Sequence, residues 1–413
     1  MIILGAIFLY LPITNNKSIS FKDALYVSIS AISCTGLSTV VIVEQFNFIG
    51  QLVIAVLMEI GALGFIIFIS YIWAKLNKKM KMSDIIMVND NINGDDYNSI
   101  KEHSLFIFNI MMKIQLLGII LLSIKFVPEF GTLKGIWYSI FHTISAFANA
   151  GFDIIGNQSL IKYNNDLYIQ IILIILMVLG SIGVFAIQDL KNNKLKRFKK
   201  LKLQTKIILV YTAVLLILPT ILLTIFEENI SITNSLFMTS SARSTGLSVV
   251  NVSEMTNTSK LLLTILMFVG GSPASTAGGV RIVAVAIILA TMISTLKGRI
   301  NTIIFWKKIP ESIVRKSFAI FMMFLIIVIV GVMSYSYCNK SAEIMDISLE
   351  CVSAVTNTGF SSVDPTTTIL MTDIIIMILM YIGRIGPIAM VAIFVNDEPI
   401  DKIVDYPSEN VIL

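Results

Sequence analysis

Four glycines, Gly36, Gly151, Gly246 and Gly359, each end a short run of one design. That design suits the binding of a dehydrated monovalent cation by backbone oxygen. In each run a serine stands six residues before the glycine, a small residue directly before it, Leu or Phe directly after it, and Ser or Asp next. The four copies are Ser30 to Ser38, Ser145 to Asp153, Ser240 to Ser248 and Ser353 to Ser361. A filter for an alkali cation replaces hydration water with carbonyl oxygens aimed at one axis. Turning successive carbonyls the same way needs a backbone conformation that glycine adopts most cheaply. The expected ligand-bearing positions are therefore Cys34, Thr35 and Gly36; Asn149, Ala150 and Gly151; Ser244, Thr245 and Gly246; and Asn357, Thr358 and Gly359. An alkali cation at these residues is the only metal expected. A single such loop is an ordinary turn, whereas four in register are specific.

A second signature follows each copy by 24 to 29 residues: Leu57-Met58 before Gly61, Leu176-Met177 before Gly180, Leu266-Met267 before Gly270 and Leu379-Met380 before Gly383. Repetition near a period of 100 residues implies four like units. Each unit is expected to hold a spanning helix, a short helix that does not cross, the glycine loop and a second spanning helix. The expected fold is an all-α polytopic membrane protein, with four helix–pore loop–helix repeats around a pseudo-fourfold central pore. Repeat one covers 1–80, repeat two 104–195, repeat three 205–300 with a broken second helix, repeat four 310–396, and 397–413 forms a cytoplasmic tail.

Composition agrees with a chain in lipid. It is 56% hydrophobic and 14% charged. Uncharged windows of 20 or 21 residues run from Leu167 to Ile187, Ile207 to Phe226 and Phe318 to Tyr337. About 20 apolar residues cross a hydrocarbon core of about 30 Å. The short segments Gly135 to Phe147, Ile232 to Ala242 and Ile344 to Val355 cannot, and read as re-entrant. Irregular backbone at that depth survives only beside protein or water. The first apolar run, Met1 to Ile13, would reach only ~20 Å, so either upstream residues are missing or this helix is peripheral.

Of the 31 basic residues, 19 fall in 74–104, 189–206 and 297–316. The positive-inside rule makes these loops, and the C-terminus, cytoplasmic. Three cysteines and two histidines have no metal-ligand spacing, and no nucleotide-binding motif is present. Enzymatic chemistry, nucleic-acid binding and a nucleotide held by the chain itself are not expected.

The tract Gly270, Gly271, Ser272, Pro273, Ala274, Ser275, Thr276, Ala277, Gly278 and Gly279 interrupts an apolar segment. A helix does not pass through it intact, and broken helices mark transport pathways. Arg384, deep in the last span, is the repeat counterpart of Gly271. It is expected to hydrogen-bond loop carbonyls, with a salt bridge to Glu59 as the alternative. Glu350 and His142 occupy equivalent positions nine residues before their glycines and are expected to anchor the short helices. Arg243 is expected to brace the third loop from behind.

These residues resemble the potassium-translocating subunits of the Trk/Ktr/HKT superfamily, most closely the bacterial KtrB type. The likeness runs over nearly the whole chain. Besides the four loops it rests on Phe141-His142, Gly270 to Gly279, Gly383-Arg384-Ile385-Gly386-Pro387 and Tyr406 to Val411. It implies one pore per subunit, a homodimer, a cytosolic ring of nucleotide-binding regulatory subunits of KtrA/TrkA type, and potassium as the main ion in a bacterial cytoplasmic membrane. It also makes Gly270 to Gly279 a movable gate beneath the filter, with Arg384. Members with serine at the first filter position favour sodium, and here Gly36 is present. Ala62, Arg281 and the short first helix depart from the family pattern. The competing readings are a sodium- or proton-coupled secondary transporter of a small solute, and a sodium-permeable member of the same family.

Overall fold

A computed structural model of the chain describes residues 1–63, 97–156, 160–193, 198–340, 342–363 and 369–386. The basic stretch from 74 to 96, Pro387 and the tail 397–413, on which several expectations fall, lie outside the described residues.

Among the described residues, three helices are long and apolar enough to cross a membrane: Leu105–Phe130, Leu203–Phe226 and Glu311–Cys338. Their outward faces carry large apolar side chains without protein cover, among them Leu116, Ile120, Ile217, Ile221, Ile326 and Val330. Water would oppose exposing so much hydrocarbon, while lipid tolerates it. Three shorter apolar helices, Phe48–Ala62, Asn257–Val269 and Ile282–Leu296, complete the outer wall with Leu370–Ile385.

Four short helices sit among them: Phe21–Ser33, Thr132–Phe147, Ile232–Ala242 and Ile344–Val355. Serine caps begin two of them, Ser20 accepting from the Asp23 N–H and Ser231 from the Asn234 N–H. Each ends in the loop that carries its glycine. Fully buried Phe141, Phe147, Phe237, Leu349 and Val355 fix these helices to the surrounding wall.

The structure explains the Leu-Met-x-x-Gly signature. A methyl group on Gly61 would collide with the Ile32 carbonyl, one on Gly180 with the Phe147 carbonyl, and one on Gly383 with the Val355 carbonyl. In every case the struck carbonyl lies four residues before the loop glycine, at the end of the short helix. The bare glycine lets the wall helix press against that end. Gly270 differs, because its methyl group would meet Gly278 of the interrupting tract instead. Gly180→Ala is expected to lower stability by about 1–3 kcal/mol, the usual cost of overpacking. Thermal unfolding in detergent checks this, and an unchanged midpoint would remove the packing explanation.

One expectation is corrected. The segment Leu167 to Ile187 is not one span: helix Leu167–Ile182 stops at Gly183, and Val184–Asn192 departs at 93°. Gly183 has φ +86, and a side chain there would lie 2.6 Å from Ser272 Oγ and 2.9 Å from the Pro273 carbonyl. The tract of the third unit therefore breaks two helices, its own and this neighbour. Uniform hydrophobicity hid the second break.

A small β-hairpin, Ile303–Ile304 paired antiparallel with Lys307–Lys308, links Ile282–Leu296 to Glu311–Cys338. Its tip places Phe305 and Trp306 at φ +47 and +64.

Candidate functional site

The four glycine loops touch one another in cyclic order. A methyl group on Gly36 would lie 2.6 Å from the Ala150 carbonyl oxygen. One on Gly151 would strike the Thr245 carbonyl, one on Gly246 the Thr358 carbonyl, and one on Gly359 the Thr35 carbonyl. Each carbonyl belongs to the residue just before a glycine, so the four loops close a cycle of equivalent contacts. The glycines have φ +92, +72, +79 and +100, the region closed to most side chains. Small residues at 35, 150, 245 and 358, all buried, let the loops come this close.

Local hydrogen bonds account for the rest of the repeated pattern. The Thr35, Ala150 and Thr358 N–H groups donate to the carbonyls of Ser30, Ser145 and Ser353, at 2.9, 2.8 and 2.9 Å. The Ser30 and Ser353 hydroxyls accept from the Gly36 and Gly359 N–H groups at 3.1 and 2.9 Å. Ser145 instead donates to the Phe152 carbonyl at 2.6 Å. The third loop is shifted: both Thr245 and Gly246 donate to Ser241, and Ser244 has φ +154. The Ser after the glycine closes a turn, Ser38 donating to Val40 and Ser361 to Val363. The second loop uses a carboxylate there, with Asp153 Oδ1 accepting from the Ile155 N–H at 3.4 Å.

Two side-chain bridges join neighbouring loops. Thr245 donates to Asn149 Oδ1 at 2.5 Å, and Asn357 Nδ2 donates to Thr35 Oγ1 at 3.0 Å. Asn149 and Asn357 hold left-handed backbone, both at φ +52. Their equivalents in the other loops face outward from the ring: Cys34 contacts the Met58 carbonyl, and Ser244 Oγ accepts from the Gly278 N–H at 2.8 Å.

The tract 270–281 lies against the helix side of this ring. Thr276 donates to the Phe147 and Gly180 carbonyls at 3.1 Å each and accepts from Asn149 Nδ2 at 2.6 Å. The Ser272 N–H reaches the Ser181 carbonyl at 3.0 Å, and Gly278 packs against Thr356. Arg384 donates to the Thr276 carbonyl at 3.1 Å and to the Gly61 carbonyl. It thus bridges the tract to the first unit. Arg281, at φ +84, folds back on the Ser272 carbonyl at 3.1 Å and on that of Ala277. Two guanidinium groups therefore clasp one ten-residue segment.

Other charged groups sit apart from the ring. Glu59 does not meet Arg384; its oxygens both accept from Gln115 Nε2 at 3.0 Å. His142 Nδ1 pairs with the Tyr138 carbonyl at 2.7 Å, and Nε2 lies 3.5 Å from the Ile154 N–H, tying the short helix to the segment leaving its loop. Glu350 is buried beside Ser361 and Ser362 in the same relation. Arg243 is 1% exposed and reaches Thr212 Oγ1 at 3.4 Å, behind the third loop. Sequence reasoning missed the two asparagine bridges and the Gln115 partner; the shared Asn-x-Gly-Phe of loops two and four was the available signal for the first.

A family model described as cation transport protein, TrkH, matches residues 3–406. The chain belongs to the TrkH family of cation transport proteins. The family consists of transporters rather than enzymes. Among similar proteins, the potassium/sodium uptake protein NtpJ of Enterococcus hirae is 32% identical, with 100% of this chain and 94% of that protein covered. The Ktr system potassium uptake protein B of Bacillus subtilis is also 32% identical, over 96% of this chain and 91% of its own length. The crystal structure of the potassium transporter TrkH from Vibrio parahaemolyticus superposes with a TM-score of 0.72 at 16% identity, covering 92% of this chain and 79% of that one. That likeness concerns the fold. TrkH-family membership makes the chain a membrane cation transporter, and its apolar, uncovered helix faces suit that setting.

Proposed function

We propose that this chain takes up potassium through a channel-like pore whose narrowest part is the ring of four glycine loops. The observation that supports the reading is the closed cycle of contacts in which the Thr35, Ala150, Thr245 and Thr358 carbonyls each lie against a neighbouring loop's glycine. Backbone oxygens from a ring replace the water of an alkali cation without a fixed negative charge. Passive flow down the electrochemical gradient follows, with the membrane potential supplying about 2.3 kcal/mol per charge per 100 mV. The names of the Bacillus and Enterococcus relatives favour potassium, with sodium as a second ion.

The tract 270–279 is the gate in this reading, since it underlies the ring and is tied to its neighbours by hydrogen bonds, many of them to backbone carbonyls. Arg384 adds a positive charge where a cation would leave. The basic loops face the cytoplasm, where a nucleotide-binding regulatory ring acts on a homodimer of this chain; that assembly rests on the family resemblance.

The test is growth of a potassium-uptake-deficient bacterium at low potassium, with and without the regulatory subunit and sodium. Complementation is expected, strongest with the subunit, and failure of a membrane-inserted protein to restore growth would overturn the proposal. Gly36→Ser, whose Cβ would meet the Ala150 carbonyl at 2.6 Å, a milder collision than at Gly359, is expected to lower uptake without abolishing it and to reduce the potassium-to-sodium permeability ratio roughly tenfold, equivalent to about 1.4 kcal/mol. An unchanged ratio would remove the first loop from the filter.

A further inference from the structure

The hairpin after Ile282–Leu296 and the short 3-10 turn Phe198–Lys200 form one surface, joined by an edge-on contact of Phe198 and Phe305 at 6.1 Å. Lys199, Lys200 and Lys202 from one segment and Lys307 and Lys308 from the other are exposed around it. Lys206 lies 5.8 Å over the Phe198 ring. Neither 198–206 nor 297–310 contains an acidic residue. Among the described residues, none of these lysines has an ion-pair partner.

Apolar side chains stand in the same patch: Trp306 is 99% exposed and Ile300 100% exposed. The turn needs left-handed backbone at both central positions, where Asn-Gly is the low-strain choice. Phe-Trp occupies them instead, so a ring is presented at a conformational cost. Such violations mark surfaces with a use.

The hairpin does not reach away from the lipid. Thr302 Oγ1 lies 3.0 Å from Thr291 Oγ1, and Ile304 is buried against Ala286 and Ile287. The chain therefore turns at Leu296 and runs back along a membrane helix by about 14 Å, nine residues at ~1.5 Å each. On the other side, Glu311–Cys338 starts seven residues before its uncharged window. That places the patch at headgroup depth. Lysines around an exposed tryptophan suit the anionic interface of a bilayer, where each basic residue adds affinity and Trp settles between water and hydrocarbon.

We propose that this patch binds the anionic headgroups of the surrounding bilayer, with Trp306 seated in the interface. The surface also has a bearing on transport. Ile304 and Ile309 pack on the helix that begins directly after Arg281, so the lipid contact steadies the element leading out of the tract 270–281.

The experiment uses the full chain in proteoliposomes, with Trp73→Phe and Trp137→Phe leaving Trp306 as the reporter. Brominated phosphatidylglycerol is compared with brominated phosphatidylcholine as quencher in mixed bilayers. The expected result is preferential quenching by phosphatidylglycerol, reduced by salt. Lys307→Gln with Lys308→Gln should lower that preference by roughly thirtyfold, two residues at about 1 kcal/mol each, while Trp306 stays quenched. Equal quenching by both lipids would overturn the headgroup assignment. Trp306 unquenched by either, or shielded only when an acidic cytosolic protein is added, would overturn it in favour of a protein partner. Potassium uptake by the reporter protein, measured alongside, separates loss of this contact from failure of the pore reading.

Discussion

Gly359→Ala is expected to abolish potassium uptake while leaving the protein in the membrane. At φ +100 an alanine is strained by about 1–2 kcal/mol from its own backbone. Its methyl group would also strike the Thr35 carbonyl and lie 3.3 Å from Gly36 Cα. Both are backbone atoms of another loop, so no rotamer change relieves the clash. The first loop must retreat, and the oxygen it lends to the centre retreats with it. Rubidium uptake into a potassium-uptake-deficient strain, normalised to membrane-inserted protein, measures the loss. Uptake near the unsubstituted level would mean that the loops do not line the conduction path. Gly131, at φ +83 with open space around it, supplies the control. Its alanine variant carries comparable backbone strain but meets no neighbour, and should transport normally.

Removing residues 273–277 is expected to raise uptake, as is Arg384→Gln. The segment is pinned through Thr276 to Phe147 and Gly180 and through the Thr276 carbonyl to Arg384. Deletion discards the Thr276 anchors together. Arg384→Gln discards one charged contact, worth about 1.5–3 kcal/mol. If that contact favours the closed arrangement, its loss shifts the balance toward opening by roughly tenfold or more. The regulatory subunit should then matter less to the rate. Intact protein with unchanged or reduced flux in both variants would show that the tract does not obstruct the path.

Much of this organisation was legible because repetition is a strong signal. Four loop glycines and four wall glycines could be aligned by counting, and for Gly61, Gly180 and Gly383 the structure supplies the physical cause in the collision of a methyl group with a carbonyl four residues before the loop glycine. The short helix Ile344–Val355 and the interruption after Val269 were also readable, the first from its length and the second from its density of helix breakers. Gly183 was not. One glycine in an apolar run carries no local mark of a 93° turn, whose cause, Ser272 and Pro273, lies some 90 residues away in sequence. The Thr245–Asn149 and Asn357–Thr35 bridges were hidden for a similar reason. Asparagine in a tight loop ordinarily bonds its own backbone, and only the assembled ring sends it across to the next unit.

Those two bridges divide the ring unevenly. The second loop is stitched to the third and the fourth to the first, whereas between first and second, and between third and fourth, no side-chain hydrogen bond is found among the described residues. In the proposed filter two bridged halves meet at two joints without such bridges. Widening would then part those halves along a single diagonal while the other diameter stays fixed, and a cation of the wrong size would be met by an oval rather than a circle.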